Sequence, residues 1–448
     1  MRTQSLSRDA LLDLQTTKLR ELLAHAHACC PAYRRRIDEA GIDPARAALS
    51  DLAALPTIDK AALRAATPDI RDRRRLSADQ RYGPFCDPRT PGGLHRYTTG
   101  GSTGDPLVFY IDRRRQAADQ AARSRSRRWF GIDVGERELY VWGAPAELTA
   151  QDRLRRWRDR LANHVLINAF DMTAERMETC LDRIEGMDPV HVFGYPSSLA
   201  RLVRNARTGR RAVHAPSLRT VFVTGEVLAL EDRVAIGEYF GVAVADGYGS
   251  REAGFIAHEC PAGRMHVTME SVIVELLDAR GRPVPAAQTG EITVTHLDAF
   301  GMPFIRYRTG DLACWDPRPC PCGLALATLS AIEGRRGDAI RTPDGAFAHP
   351  LSVIYPLREC ARIRQFRVRQ RRDYALDVSI VPTVAFTTID REQLVERIAR
   401  QFRGRISVRV HIVDHIPPDP SGKHCAVRSD IPEPDAAPPP AGRITSPV

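Results

Sequence analysis

Lysine is almost absent from this chain of 448 residues. Of its 65 basic residues, only Lys18, Lys60 and Lys423 are lysines. An ammonium is a compact point charge that a guanidinium does not reproduce, so a lysine kept against such a bias draws notice where its surroundings form a loop. Lys18 falls on a polar helix face, and Lys60 ends Leu55-Pro56-Thr57-Ile58-Asp59-Lys60 ahead of a helical run. Lys423 sits in the turn Pro418-Asp419-Pro420-Ser421-Gly422-Lys423. No apolar run approaches the roughly 18 residues of a membrane span, and the opening MRTQSLSRDALLDLQ lacks the apolar segment of a signal peptide. A cytoplasmic protein with no membrane partner is expected. Without an export signal, the ten unevenly spread cysteines point to reduced thiols or a metal rather than a disulfide framework. The net charge of +10 comes with no concentrated basic stripe and no nucleic-acid module. Arg113-Arg114-Arg115, Arg155-Arg156-Trp157-Arg158 and Arg369-Gln370-Arg371-Arg372 read as solvated helix faces, and no nucleic-acid partner is expected. Also missing are the Gly-Lys-Ser/Thr ending of a Walker A loop and any GxGxxG fingerprint.

What the chain does have is the run Thr98-Thr99-Gly100-Gly101-Ser102-Thr103-Gly104-Asp105-Pro106, rich in glycine and hydroxyls, followed by the strand-like Leu107–Ile111. Such a loop can turn backbone N–H groups and hydroxyls onto a phosphate; read by itself, it is equally a hairpin turn. Around it, leucines at helical spacing predict a helix over 8–28 that Pro31 stops, a charged helix over 60–80 and an arginine-rich helix from about 113 to 130. Strand and helix signals then alternate to about residue 245, which argues for α/β layers. From 264 to 300 the pattern is all strand. The turn-rich Glu333-Gly334-Arg335-Arg336-Gly337-Asp338 follows, then a small α+β unit and a proline-rich tail over 432–448 that should be disordered. The expected organisation is an N-terminal domain over 1–334, of βα-layered sheets plus a small β-barrel-like subdomain, and a mobile α+β domain over 335–431.

Further short motifs follow the loop in order. They are Val223-Thr224-Gly225-Glu226, Asp246-Gly247-Tyr248-Gly249-Ser250-Arg251-Glu252, Ile305-Arg306-Tyr307-Arg308-Thr309-Gly310-Asp311, Gly334-Arg335 with Asp338, and Ser421-Gly422-Lys423. Each alone is compatible with a turn. Together, in this order over residues 20–430, they resemble the adenylate-forming superfamily of acyl-CoA synthetases and adenylation domains. Phe193-Gly194-Tyr195-Pro196-Ser197 and Cys320-Pro321-Cys322-Gly323 make the resemblance closest to the phenylacetate–CoA ligase branch and its capsular-polysaccharide-type relatives. The resemblance implies that a carboxylate attacks the α-phosphate of ATP and expels pyrophosphate, chemistry that rests on positioning and charge stabilisation. It implies that Thr98, Thr99, Ser102, Thr103 and Gly104 hold the phosphates and that Glu252 holds magnesium. It implies that Gly225, Glu226, Asp246, Gly247, Tyr248 and Gly249 form the nucleotide pocket, with Tyr248 stacked on adenine. Asp311 would bind the ribose hydroxyls, Arg335 would reach ribose or phosphate, and Lys423 would bridge the attacking carboxylate and the α-phosphate.

Gly337 stands where most relatives have an acidic hinge residue, and Arg341-Thr342-Pro343-Asp344-Gly345 departs from the usual acyl-CoA synthetase pattern. The acceptor therefore stays open between a thiol, either CoA or the phosphopantetheine of an acyl carrier protein, and an amine or hydroxyl. A degenerate homologue that binds nucleotide without catalysis is the third reading, and the intact Lys423, Glu252 and Asp311 argue against it. Cys260, His266, Cys320 and Cys322 make a candidate structural zinc set, with His258 an alternative to His266. Trp142, Phe193, Tyr195 and Tyr248 are candidates for an aromatic acid pocket, or else plain core. The resemblance also allows a homodimer.

Overall fold

The computed structural model describes residues 2–66, 82–98, 107–142, 163–167, 169, 174–286, 288–335, 340–341, 343, 347–348, 351–358, 360, 362–402, 404–416 and 427–431. Thr99, Ser102, Thr103, Gly104, Gly337, Asp338, Lys423 and the tail over 432–448 lie outside the described residues, and Thr98 and Arg335 are described in their backbone only. Two compact units divide the described chain, one ending at Gly334 and the other starting at Arg335.

The first unit opens with α1 (Arg8–Cys29), capped by the Ser7 hydroxyl, which accepts from Ala10 N. Its leucine stripe, Leu11, Leu19, Leu22 and Leu23, is fully buried in the largest core cluster. This helix ends at Cys29, ahead of Pro31 as expected, and Pro31 begins the next one, α2 (Pro31–Glu39). Proline at the first helical position loses no hydrogen bond and is preset for the turn. The helix expected over 60–80 is described as α3 (Lys60–Ala66). A hairpin of β1 (His95–Thr98) and β2 (Val108–Ile111) flanks the glycine-rich loop, and α4 (Arg113–Arg128) follows.

The centre of the unit is one eleven-stranded sheet. Its parallel half comprises β3 (Glu138–Val141), β4 (His164–Ile167), β5 (His191–Gly194), β6 (Thr220–Thr224) and the start of β7 (Ala243–Ser250), ordered β4-β3-β5-β6-β7. The helices α5 (Ala174–Met187), α6 (Pro196–Thr208) and α7 (Leu230–Phe240) stand between them in sequence. Leu139, Val141, Val192, Val221, Val223 and Val244 form a dry core with Leu181, Ile184, Leu199, Val203 and Ile236 of those helices. The side chains that alternate with them, Tyr140, His191, Phe193 and Phe222, face the other way, toward Arg123, Arg127 and Phe130.

At β8 (Gly254–Glu259) the strand direction reverses. The sheet continues antiparallel through β9 (Met265–Val267), β10 (Val272–Leu277), β11 (Gly290–His296), β12 (Tyr307–Trp315) and β13 (Thr328–Arg335), in the order β8-β9-β13-β12-β11-β10. The strands read as a separate subdomain are thus hydrogen-bonded into the same sheet as the βα layers. The second unit is a four-stranded sheet of β16 (Ile363–Gln370), β17 (Leu376–Pro382), β18 (Val408–Ile412) and β19 (Val427–Ser429), preceded by the short β14 (Ile340–Arg341) and β15 (Phe347–Ala348). Its helices, α8 (Leu351–Arg358) and α9 (Thr388–Gln401), bury Leu357, Leu394 and Ile398 against Val368, Leu376 and Val378.

Candidate active site

The parallel strands end at one level. Val141 pairs with Gly194, Gly194 with Val223, and Val223 with Asp246. In open α/β sheets, ligands collect beyond these carboxyl ends, and Trp142, Tyr195, Gly225 and Tyr248 all follow them. Trp142 stacks on Tyr195 at 4.0 Å between ring centroids and lies 5.4 Å from Phe193. Gly225 has φ +81°, and a Cβ there would stand 3.2 Å from the Tyr195 ring and 3.6 Å from Trp142. A side chain at that position would be strained and would press on both rings. The Glu226 carboxylate accepts from Ser197 N at the start of α6, 3.1 Å away, where a helix N-terminus favours negative charge. The Thr224 hydroxyl donates to the Gly247 carbonyl and ties β6 to β7.

Residues about sixty positions apart in sequence meet across the sheet. The Tyr248 hydroxyl donates to Asp311 Oδ2 at 2.8 Å and lies 3.3 Å from Thr309 Oγ1. Burial and the Asp311 charge hold the Tyr248 phenol well above the usual tyrosine range. The Tyr307 hydroxyl donates to Glu252 Oε1 at 3.2 Å, and burial and that carboxylate raise its pKa in the same way. Both phenols therefore keep their protons and stay donors. Gly310, at φ +80°, turns the chain between Thr309 and Asp311. The flanking arginines are committed elsewhere. Arg306 holds Glu275 with two bonds and donates to the carbonyls of Ala53 and Leu55, while Arg308 pairs with Glu291. Asp246 is held by burial, and by the neighbouring Glu259 charge, up to about 8. Glu259 itself is gripped by Arg233 at 2.9 and 2.7 Å.

A second constellation joins the β8–β9 turn to the β12–β13 connection. Ligand atoms of Cys260, His266, Cys320 and Cys322 all lie within 4.8 Å of one another. Cys260 Sγ is 3.6 Å from Cys320 Sγ, and Cys322 Sγ is 3.2 Å from His266 Nε2. Tetrahedral zinc with its usual bond lengths would space two sulfurs by about 3.8 Å and a sulfur and an imidazole nitrogen slightly less. His266 Nδ1 lies 3.4 Å from the Leu326 carbonyl, a partner that leaves Nε2 for a metal. His258 is excluded from this group: it stacks on Phe255 at 5.2 Å and stands against Gly247.

The composition-based reading missed two features. Lys18 reaches Asp298 Oδ2 at 2.6 Å and the Glu270 carbonyl at 2.7 Å, clamping α1 to the sheet. And α4 is not a solvated face: Arg115 is 0 % exposed, with Arg125 and Arg127 also buried. Arg115 donates to the Arg251 carbonyl at 2.8 Å, beside Glu252. The four-residue spacing of Arg115, Asp119, Arg123 and Arg127 puts them on one helix stripe, but that spacing does not say whether the stripe meets water or the sheet.

Residues 160–299 match the family model described as AMP-binding enzyme. A phenylacetate-coenzyme A ligase of Thermus thermophilus is 25% identical over 436 residues, spanning 91% of this chain and 93% of that enzyme. The crystal structure of a 2-hydroxyisobutyryl-CoA ligase in the postadenylation state, in complex with 2-HIB-AMP, superposes with a TM-score of 0.76 at 21% identity, covering 96% of this chain and 91% of that one. An amide bond synthetase from Marinactinospora thermotolerans superposes with a TM-score of 0.55 at 21% identity over 74% of this chain and 67% of that one.

Proposed function

We propose that this adenylate-forming enzyme of the phenylacetate–CoA ligase-like type activates an aryl or aryl-like carboxylic acid with ATP, releases pyrophosphate and passes the acyl group to a thiol. The observation that carries the reading is the convergence of Tyr248 with Asp311 and of Tyr307 with Glu252 beyond the ends of the parallel strands. Asp311 binds the ribose hydroxyls and Tyr248 covers adenine, with Gly225, Glu226, Asp246, Gly247 and Gly249 shaping the pocket. The Tyr307 bond engages one oxygen of Glu252 and suits the other to a magnesium ion on the phosphates, since magnesium takes one or two carboxylates and keeps the rest of its shell for phosphate and water. Thr98, Thr99, Ser102, Thr103 and Gly104 receive the phosphates, Arg335 adds charge near ribose, and Lys423 neutralises the carboxylate and α-phosphate as they meet. The acid lies among Trp142, Phe193 and Tyr195. Zinc held by Cys260, His266, Cys320 and Cys322 is structural, because all four positions are filled by protein.

CoA and the phosphopantetheine of a carrier protein are the candidate thiols. Transfer to an amine is the second reading, favoured by the departure at Arg341-Thr342-Pro343-Asp344-Gly345 from the acyl-CoA synthetase pattern. Acid-dependent exchange of pyrophosphate into ATP across a carboxylic-acid library tests the first half-reaction. We expect exchange with aryl acids and its loss by at least about a hundredfold in Lys423→Ala, the order expected for removing one charge that stabilises the transition state. Exchange within a few-fold of the parent removes Lys423 from the mechanism, and no exchange with any acid rejects the activity. Supplying CoA, carrier protein or amine in turn identifies the acceptor.

A further inference from the structure

The layer between α4 and the parallel sheet holds more positive charge than it neutralises. Arg125 pairs with Glu270, and Arg127 engages both Glu138 and the Tyr140 hydroxyl. Among the described residues, Arg123 is the remaining cation of this layer. Its nearest carboxylate oxygen is Glu138 Oε2 at 3.8 Å, beyond hydrogen-bond range, and its Nε is buried without a partner. The guanidinium lies over the rings of Tyr140, at 4.9 Å, and Phe193, at 5.6 Å. The histidines beside this layer do not offset it. His191 and His258 are held neutral, at about 2 and about 3, by burial and then by the arginines themselves.

Phe193 is shared. Trp142 packs on it from the level of the strand ends, and Arg123 reaches it where Tyr140 stands, two residues earlier on β3. Arg123 is thus one ring deeper than the aromatic slot. Across the sheet, Gly247 lets the His258 ring pack closely on the strand, because a Cβ there would meet the imidazole at 3.0 Å. An aromatic acid that enters with its carboxylate at the rim, where the nucleotide lies, would bring the far edge of its ring to Arg123. The Arg123 side chain keeps 24 % of its surface exposed, but its buried Nε has no hydrogen bond among the described residues, and a ligand oxygen would complete it.

We propose that Arg123 is a specificity-determining residue that selects aromatic acids with an oxygen acceptor on the ring edge away from the activated carboxyl, either a hydroxyl or a second carboxylate. This rests on the assignment of Trp142, Phe193 and Tyr195 to the acid pocket. The test is pyrophosphate exchange with matched acids, namely benzoate, 3- and 4-hydroxybenzoate, isophthalate, phenylacetate and 4-hydroxyphenylacetate. It is run on the parent, Arg123→Met, Arg123→Lys and Trp142→Ala, with ATP-induced thermal shift as the check that each variant folds. The parent should favour at least one oxygenated acid over its plain counterpart by about tenfold or more in kcat/KM, and Arg123→Met should bring that ratio close to one. Arg123→Lys should keep part of the preference if the acceptor is a carboxylate and lose it if the acceptor is a hydroxyl, since an ammonium supplies charge without the planar fork. A parent that prefers the plain acids, or an unchanged ratio in both Arg123 variants, overturns the role of Arg123. An unaltered KM for acid in Trp142→Ala instead overturns the pocket and the proposal with it, while leaving adenylation standing.

Discussion

His191 shows what a single buried side chain costs. Its ring is fully enclosed against Phe222 and Tyr140, and neither nitrogen has a hydrogen bond among the described residues. Burial lowers its pKa from 6.5 to about 2, and that of His258 to about 3. Both imidazoles stay neutral in the fold, whereas the unfolded chain takes up protons below pH 6.5. The unfolded state then binds more protons, so stability is full above pH 6.5 and falls as pH drops toward 3. We expect His191→Leu, which replaces an unsatisfied polar ring by an apolar group of similar volume, to flatten that fall. Thermal melts should show Tm rising relative to the parent at pH 5 more than at pH 8; an equal shift at both pH values would show that His191 does not titrate this way.

Among the elements, α4 does most to connect distant parts of the first unit. Asp112 caps it, accepting from Arg115 N at 2.9 Å, and the same carboxylate accepts from Phe300 N and Gly301 N at 2.9 and 2.6 Å. One side chain thereby satisfies a helix end and a turn after β11. Gly301 is required there, because a Cβ would stand 2.2 Å from Leu94 and 3.1 Å from Asp112. Asp112→Ala should lose roughly 2–3 kcal/mol, more than an ordinary cap, because buried N–H groups are orphaned as well. Urea unfolding measures this, and a loss within about 0.5 kcal/mol would mean that water replaces the carboxylate. Further along the helix, Asp119 Oδ1 accepts from Phe255 N at 3.2 Å and faces His296 Nε2 at 3.3 Å, so α4 also braces the turn that carries Glu252.

For the whole molecule, the question is what fastens the antiparallel half of the sheet. Cys260 and His266 lie on one excursion of the chain and Cys320 and Cys322 on another, and Arg264 pairs with Asp316 between the same two. A zinc ion at this junction would join β8 and β9 to the connection that follows β12, the strand on which Asp311 sits. Purified protein should contain zinc near one ion per chain. Removing it with a chelator under reducing conditions, or Cys322→Ser, should lower Tm by roughly 5 °C. A metal content near zero in freshly purified, reduced protein would leave the four residues as a thiol–imidazole cluster only. No helix among the described residues is long and apolar enough to cross a membrane.

The sequence by itself determined the local part of this protein. Glycine and hydroxyl turns, strand runs such as Thr220–Thr224 and the leucine stripe of α1 follow from short-range sterics and hydrophobic periodicity, so their order along the chain was enough to suggest the adenylate-forming resemblance. It could not tell which polar residues are buried. Arginine on α4 has the composition of a solvated face, and only packing against Tyr140 and Phe193 makes it an interior layer. Nor could it choose between His258 and His266. The two are cross-strand partners, but His266 also pairs with Thr328 at the start of β13 and so reaches the cysteine turn, while His258 pairs with Gly247 on the side of the candidate site. Tertiary structure alone decided these points, because strand neighbours far apart in sequence determine whether a charge meets water, a partner or a ring.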